Sequence, residues 1–218
     1  MKIKFIIFFL FIVVSSYSFN KEFKDFSIKY EEDMKIKRIG DIINNYEVAF
    51  HSYYISKKYD IPLELTLSII SVESNFTNVI SRKNRNGSRD YGYMQINNFA
   101  HPEVSSKRLM KIEINIEVGV KYLQYCLKVS NNDLATAVKM YNAGVSRIKK
   151  GIVPKSTQKY CSKVLNSYNM MITKIKLLSC SKNFSQIEYN NIHIKYFYYY
   201  NTNIYMITNR ERFGGLHG

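Results

Sequence analysis

Between Pro62 and Phe76 the apolar side chains Leu65, Ile69, Val72 and Phe76 recur at three- and four-residue spacing, the period of an α-helix. Ile61-Pro62 opens the segment, and proline is tolerated in a first helical turn. One acid, Glu73, falls on the same stripe. The fold must therefore either shelter a carboxyl among apolar side chains or leave it solvated at a fraying helix end, and the pattern alone is compatible with both. A sheltered carboxyl keeps its proton to higher pH than a free glutamate, which makes Glu73 a candidate general acid.

The rest of the chain also reads as helical. Asp41 is a candidate N-cap for a helix with Ile42, Tyr46, Ala49, Phe50 and Tyr53 on one face, ending near Asp60. Asn115 would cap another, with Ile116, Gly119, Val120, Leu123, Cys126 and Leu127 in a stripe on which Gly119 suggests close helix packing. A helix from Asp133 carries Leu134, Ala137, Val138 and Tyr141 and stops at Gly144. Ser156 would cap a last one with Tyr160, Cys161, Val164, Leu165, Tyr168 and Ile172 inward, running to about Leu178. Between Ser81 and Asp90 the residues are polar and centred on Asn86-Gly87, a hairpin signal, so a small β-ribbon is expected there.

With 218 residues, 46% of them hydrophobic, the chain suffices for one domain with a substantial core. Nine Gly and three Pro without a G-X-Y period exclude a collagen-like fold, and no apolar run is long enough to span a bilayer. Lys2 and Lys4, the ten apolar residues Phe5 to Val14 and then Ser15 to Ser18 match a secretory signal peptide, residues 1–18, cleaved after Ser18. Its removal takes away two lysines and leaves 30 basic against 17 acidic residues, a net +13. An exported protein of that charge meets anionic lipid or a carboxylate-bearing cell wall before nucleic acid, and the basic residues are spread along the chain, so a nucleic-acid partner is not expected. Cys126, Cys161 and Cys180 are an odd set: a Cys126–Cys161 bridge and buried thiols both fit, and no histidine stands at a zinc-ligand spacing, so no metal is expected.

Three blocks in order carry a resemblance: Glu73-Ser74-Asn75-Phe76; Asn84 to Asn97, with the run Asp90-Tyr91-Gly92-Tyr93-Met94-Gln95-Ile96-Asn97; and Met140-Tyr141-Asn142-Ala143-Gly144. The first two resemble the lysozyme superfamily, whose two carboxylates are a worked example of tuned acidity. The third resembles the A-Y-N-A-G signature of soluble lytic transglycosylases, with Met140 for the usual Ala, and Asn115 to Leu123 resembles their N-x-x-x-G-x-x-Y-L helix. The N-G-S-x-D-x-G-x-M-Q-I-N form is similar to small specialised transglycosylases of type III and type IV secretion and pilus systems, with Tyr93 for the usual Leu.

The resemblance covers roughly residues 41 to 168. It implies a mainly α-helical, lysozyme-like (α+β) fold over residues 19–180, a helical bundle with a small β-ribbon next to the active-site cleft. It also implies cleavage of peptidoglycan glycan strands between N-acetylmuramic acid and N-acetylglucosamine, giving a 1,6-anhydro product without a cofactor. Glu73 is then the catalytic acid and base. Ser74, Tyr93, Met94, Gln95, Asn97, Tyr141 and Asn142 match positions that orient it or hold the sugar. Asp90 stands where lysozymes carry a second carboxylate, so a hydrolytic muramidase using Glu73 and Asp90 stays open, as does a non-catalytic wall-binding assembly factor. The implied location is periplasmic or secreted, with components of a secretion, pilus or flagellar system as further partners. Residues 181–218, with nine aromatics among 38, have no helical period and no assigned role.

Overall fold

The computed structural model describes residue 29 and residues 31–180. The expected signal peptide and the aromatic tail lie outside the described residues, as does the Cys180 side chain. Eight helices and one short hairpin are present in that part: α1 (31–43), α2 (Tyr46–Lys58), α3 (Leu63–Ser74), β1 (Asp90–Tyr91), β2 (Ile96–Asn97), α4 (Ser106–Leu109), α5 (Ile112–Val129), α6 (Leu134–Ala143), α7 (Val145–Lys149) and α8 (Lys155–Cys180). No helix among the described residues is long and apolar enough to cross a membrane.

α3 is the centre of the bundle. Leu65, Leu67, Ile69 and Ile70 are fully buried, and so are Thr66 and Ser68 between them. The single stripe expected from the sequence is thus too narrow: the helix is covered on most of its circumference by α1, α2, α5, the hairpin and α8, whose Ile36, Ile39, Val48, Met94, Ile116, Leu123 and Val164 complete the same core. The polar pair within it is satisfied, since the Ser56 hydroxyl of α2 donates to Thr66 Oγ1 at 2.8 Å. A smaller cluster of Cys126, Ala137 and Met140 joins α5 to α6.

Several expected boundaries shift for identifiable reasons. Asp41 is not a cap but lies within α1, which ends at the left-handed Asn44; the N-cap is Asn45, whose Oδ1 accepts from Val48 N at 3.0 Å. Asp133 caps α6 as expected, accepting from Thr136 N, and Gly144 terminates it. On α8, Ile172 faces outward at 39% exposure while Met171 and Ile175 are buried, because over a helix this long the inward face drifts off the expected stripe. Cys126 and Cys161 are buried free thiols.

The ribbon forms one step later than Asn86-Gly87 implied. The ladder pairs Asp90 with Asn97 and Tyr91 with Ile96, closed by residues 92–95, while Asn86-Gly87 tips the preceding loop, held at its base by an Ile80–Tyr91 bridge. Gly92 sits at φ 73°, and a Cβ there would lie 2.3 Å from Asn115 Nδ2, so only glycine fits. Gly119 does mark a close approach, but to the hairpin and not to a helix: a Cβ would come within 2.4 Å of Met94 Sδ.

Candidate active site

Glu73 is the penultimate residue of α3. The helix ends immediately after it because Asn75 and Phe76 take left-handed backbone angles, φ 50° and 60°, and the Phe76 carbonyl is held by Asn45 Nδ2 at 3.1 Å. This abrupt stop places the Glu73 carboxyl at the edge of the core, partly buried. The Tyr160 hydroxyl of α8 donates to Glu73 Oε1 at 2.6 Å. Burial is the largest influence on Glu73 and raises its pKa to about 7; the Tyr160 hydrogen bond opposes this, and the negative charge of Asp90 adds to it. Of the two sequence-level alternatives, the sheltered carboxyl is the one found.

Burial first, and then the charge of Glu73, hold both Tyr160 and Tyr141 in the neutral phenol form, with ionisation well above the ordinary tyrosine value. Both are therefore donors. Tyr141 donates to the Met94 carbonyl at 3.0 Å and so ties α6 to the hairpin. Its ring packs at 5.6 Å from that of Tyr122. Ser74 makes the matching tie from α3: its hydroxyl lies 2.8 Å from the Tyr93 carbonyl and 3.1 Å from that of Ile70.

The hairpin is fixed from below by Asn115. This residue was expected to cap a helix, but α5 begins at Ile112 and Asn115 is fully buried inside it. Its Nδ2 donates to the carbonyls of Tyr91 at 2.7 Å and Leu109 at 2.8 Å, and its Oδ1 accepts from Met94 N at 2.8 Å. One side chain thereby satisfies two backbone groups of the hairpin, Tyr91 O and Met94 N, together with the last carbonyl of α4.

The remaining candidates divide. Asn142 is exposed at the end of α6, with Oδ1 accepting from Thr157 at 2.9 Å, so its amino group is directed by α8 and accessible to a sugar. Gln95, at φ 49°, commits its amino group to the carbonyls of Gly92 at 2.8 Å and Val79 at 3.1 Å and keeps its carboxamide oxygen as an acceptor. Three others are engaged within the protein itself. Met94 has 0% exposure and fills the space left by Gly119. Tyr93 is buried at 8%, with the charge of Glu47 and a hydrogen bond with Asn45 acting on its hydroxyl, which directs it toward the start of α2. Asn97 spends its amino group on Asp90 at 2.7 Å and Ser88 at 2.9 Å, and its oxygen on the amides of Phe99 and Ala100. These three build the turn.

Asp90 is likewise engaged. Beyond the Asn97 bond to Oδ1, its Oδ2 accepts longer contacts, 3.4 Å each, from Ser81 Oγ and Asn84 Nδ2. It is near enough to Glu73 to act on it through charge, yet its own lone pairs are directed at the loop. Tyr160 is the residue that sequence reasoning took as packing only. Its position on the inward stripe of α8 was legible, but a partner 87 residues away was not. Tyr160→Phe removes the bond that lowers the Glu73 pKa, so the alkaline limb of a pH–activity profile should move to higher pH, while Tyr168→Phe should leave it in place.

Comparison with known proteins gives a concordant result. The sequence model of the transglycosylase SLT domain matches residues 52–169, more than half of the chain. The chain is 34% identical over 122 residues to protein IpgF of Shigella sonnei and equally to that of Shigella flexneri, covering 51% of this chain and 74% of each relative. Among solved structures, an inactive mutant of lytic transglycosylase Slt from Pseudomonas aeruginosa superposes with a TM-score of 0.50 at 19% identity, over 57% of this chain and 24% of that one. A 70-kDa soluble lytic transglycosylase in complex with bulgecin A does so with a TM-score of 0.50 at 22% identity, over 56% and 24%. The chain thus spans about a quarter of those larger proteins, and at such identity they bear on the fold, which is the mainly α-helical arrangement with one small hairpin described above. On the match of its sequence across residues 52–169, the chain belongs to the transglycosylase SLT domain family of the lysozyme-like superfamily.

Proposed function

We propose that the protein is a peptidoglycan lytic transglycosylase in which Glu73 is the catalytic acid and base. The observation that carries this reading is the Glu73 carboxyl, partly buried at the end of α3, hydrogen-bonded by Tyr160, with burial raising its pKa to about 7, next to Ser74, which ties α3 to the hairpin. Such a group is about half protonated at neutral pH, where an ordinary glutamate is almost wholly ionised, and can give its proton to the glycosidic oxygen as the C1–O bond to the leaving N-acetylglucosamine breaks. The carboxylate that remains takes the proton of the muramyl C6 hydroxyl while O6 bonds to C1. The proton count closes on Glu73, no water enters, and the product is a 1,6-anhydro end. Because Tyr160 donates to Oε1, it stabilises the carboxylate of the second step and limits how far burial raises the pKa.

Activity should fall as pH rises through about 7, where Glu73 loses the proton it must donate; a pH series of kcat/KM on glycan strands checks this. The hydrolytic alternative draws on Asp90. Its three hydrogen-bonding neighbours speak for a bracing role, so Asp90→Asn is expected to cost less than about tenfold in kcat/KM, against orders of magnitude for Glu73. A loss equal to that of Glu73→Gln would favour the two-carboxylate muramidase.

The signal-like residues 1–18 support action outside the cytoplasm, periplasmic or secreted, and the motif form of residues 84–97 supports local wall opening for a secretion or pilus apparatus. Gene neighbourhood tests that assignment. Within the proposal, residues 19–180 are the catalytic domain and residues 181–218 an appended tail.

A further inference from the structure

Residues 81–89 form a small loop with an unusual division of labour. Its fold rests on asparagine, serine and backbone: Asn84 N donates to the Ser88 carbonyl at 2.8 Å, Gly87 N to the Asn84 carbonyl at 2.9 Å, and Asn86 Oδ1 accepts from Ser88 N and Oγ. The other side chains are Arg82, Lys83, Arg85 and Arg89, and all four are exposed. None takes part in an ion pair among the described residues, whereas Lys37, Lys57 and Lys58 elsewhere are each paired with an acid. The one carboxylate at the base of the loop, Asp90, is occupied by Asn97, Ser81 and Asn84. Four like charges within eight residues repel one another, and the hydrogen bonds that shape the loop do not require them.

The loop is also held in place. Ser81 N donates to the Asp90 carbonyl at 2.9 Å, and Asp90 N donates to Ser81 Oγ at 2.9 Å. Asp90 opens the hairpin whose Tyr93 carbonyl accepts from Ser74, the residue after Glu73, so the four cations stand on a platform tied to the end of α3. With its lactyl carboxyls amide-linked to peptide stems, an N-acetylated glycan backbone is itself uncharged and gives them nothing to bind. The muramyl residue, however, bears a peptide stem with free carboxylates, attached next to the bond that is cut. We propose that the loop of Arg82, Lys83, Arg85 and Arg89 binds these stem carboxylates, so that the enzyme selects peptide-bearing strands over bare glycan. This rests on peptidoglycan being the substrate.

The test measures binding with Glu73→Gln protein, so that no cleavage interferes, on glycan strands with stems attached and on chitin oligosaccharides of similar length, which carry neither stems nor lactyl carboxylates. The parent should bind the stem-bearing polymer about tenfold more tightly at low salt, with the preference shrinking as ionic strength rises. Replacing all four cations by Gln should abolish the preference. Equal binding of both polymers by the parent, or a preference that survives the four substitutions, overturns the proposal. So does a result in which the substitutions abolish only binding to phosphatidylglycerol vesicles, which would make the loop a lipid-docking element. With Glu73 intact, absence of cleavage of either polymer would count against the proposed activity, and the binding comparison would still decide the role of the loop.

Discussion

Glu73→Gln is expected to lower glycan cleavage by roughly two to four orders of magnitude, the usual contribution of a positioned acid and base, while the protein stays folded. Glutamine preserves the side-chain shape, and its carboxamide oxygen can still accept from Tyr160, so the contact 2.6 Å long in the parent is retained in kind. What is lost is the titrating proton. The same substitution has a signature in stability. Because the folded-state pKa of Glu73 is raised from 4.5 to about 7, the native protein binds more protons than the unfolded chain between those values, and the parent loses stability as pH rises through that window. The variant has no such penalty. Its stability relative to the parent should therefore grow from pH 4 to pH 8 in paired urea titrations. A constant difference would mean that the carboxyl is not sheltered.

Asn115→Ala is expected to produce the largest loss of stability of any single substitution considered. It strips partners from Met94 N–H and from the carbonyls of Tyr91 and Leu109, all beneath the turn. An unsatisfied buried group costs about 1–3 kcal/mol, so a total of about 3 kcal/mol or more follows, a large share of the 5–15 kcal/mol typical of a domain. The urea midpoint should drop with little change in the slope of the transition. Activity at a temperature where the variant is still folded should also fall, since the carbonyls that receive Ser74 and Tyr141 belong to Tyr93 and Met94 of that same turn.

Asn115 also shows where sequence reasoning stops. An asparagine just ahead of Ile116, Gly119 and Leu123 has the pattern of an N-cap, and nothing local distinguishes a cap from a buried bracket. The deciding fact is the presence of one carbonyl and one amide, Tyr91 O and Met94 N, from a hairpin more than twenty residues earlier. Gly119 was recognisable as a close approach, but its partner, Met94, comes from that hairpin for the same reason. Elements whose ends are set locally were legible: Asp133 and Gly144 bound α6, and Pro62 opens α3. For the site, the acid on the inner face was readable from spacing alone, because burial of one face is what the period encodes. The distribution of roles around it was not. The resemblance matches Tyr93, Met94 and Asn97 to positions that orient the acid or hold the sugar, and in a tight turn neighbouring side chains point in different directions: Tyr93 and Met94 are buried, and Asn97 is hydrogen-bonded within the loop.

The central claim is that one carboxyl carries both proton transfers and that the muramyl C6 hydroxyl, not water, is the acceptor. Mass spectrometry of the products from purified glycan strands tests it most directly. Incubation with the protein should yield muropeptides lighter by one water than those of a hydrolase, with anhydro ends and no new reducing ends. Products at the full hydrolytic mass, each with a reducing end, would contradict the account and make Glu73 and Asp90 the two carboxylates of a muramidase.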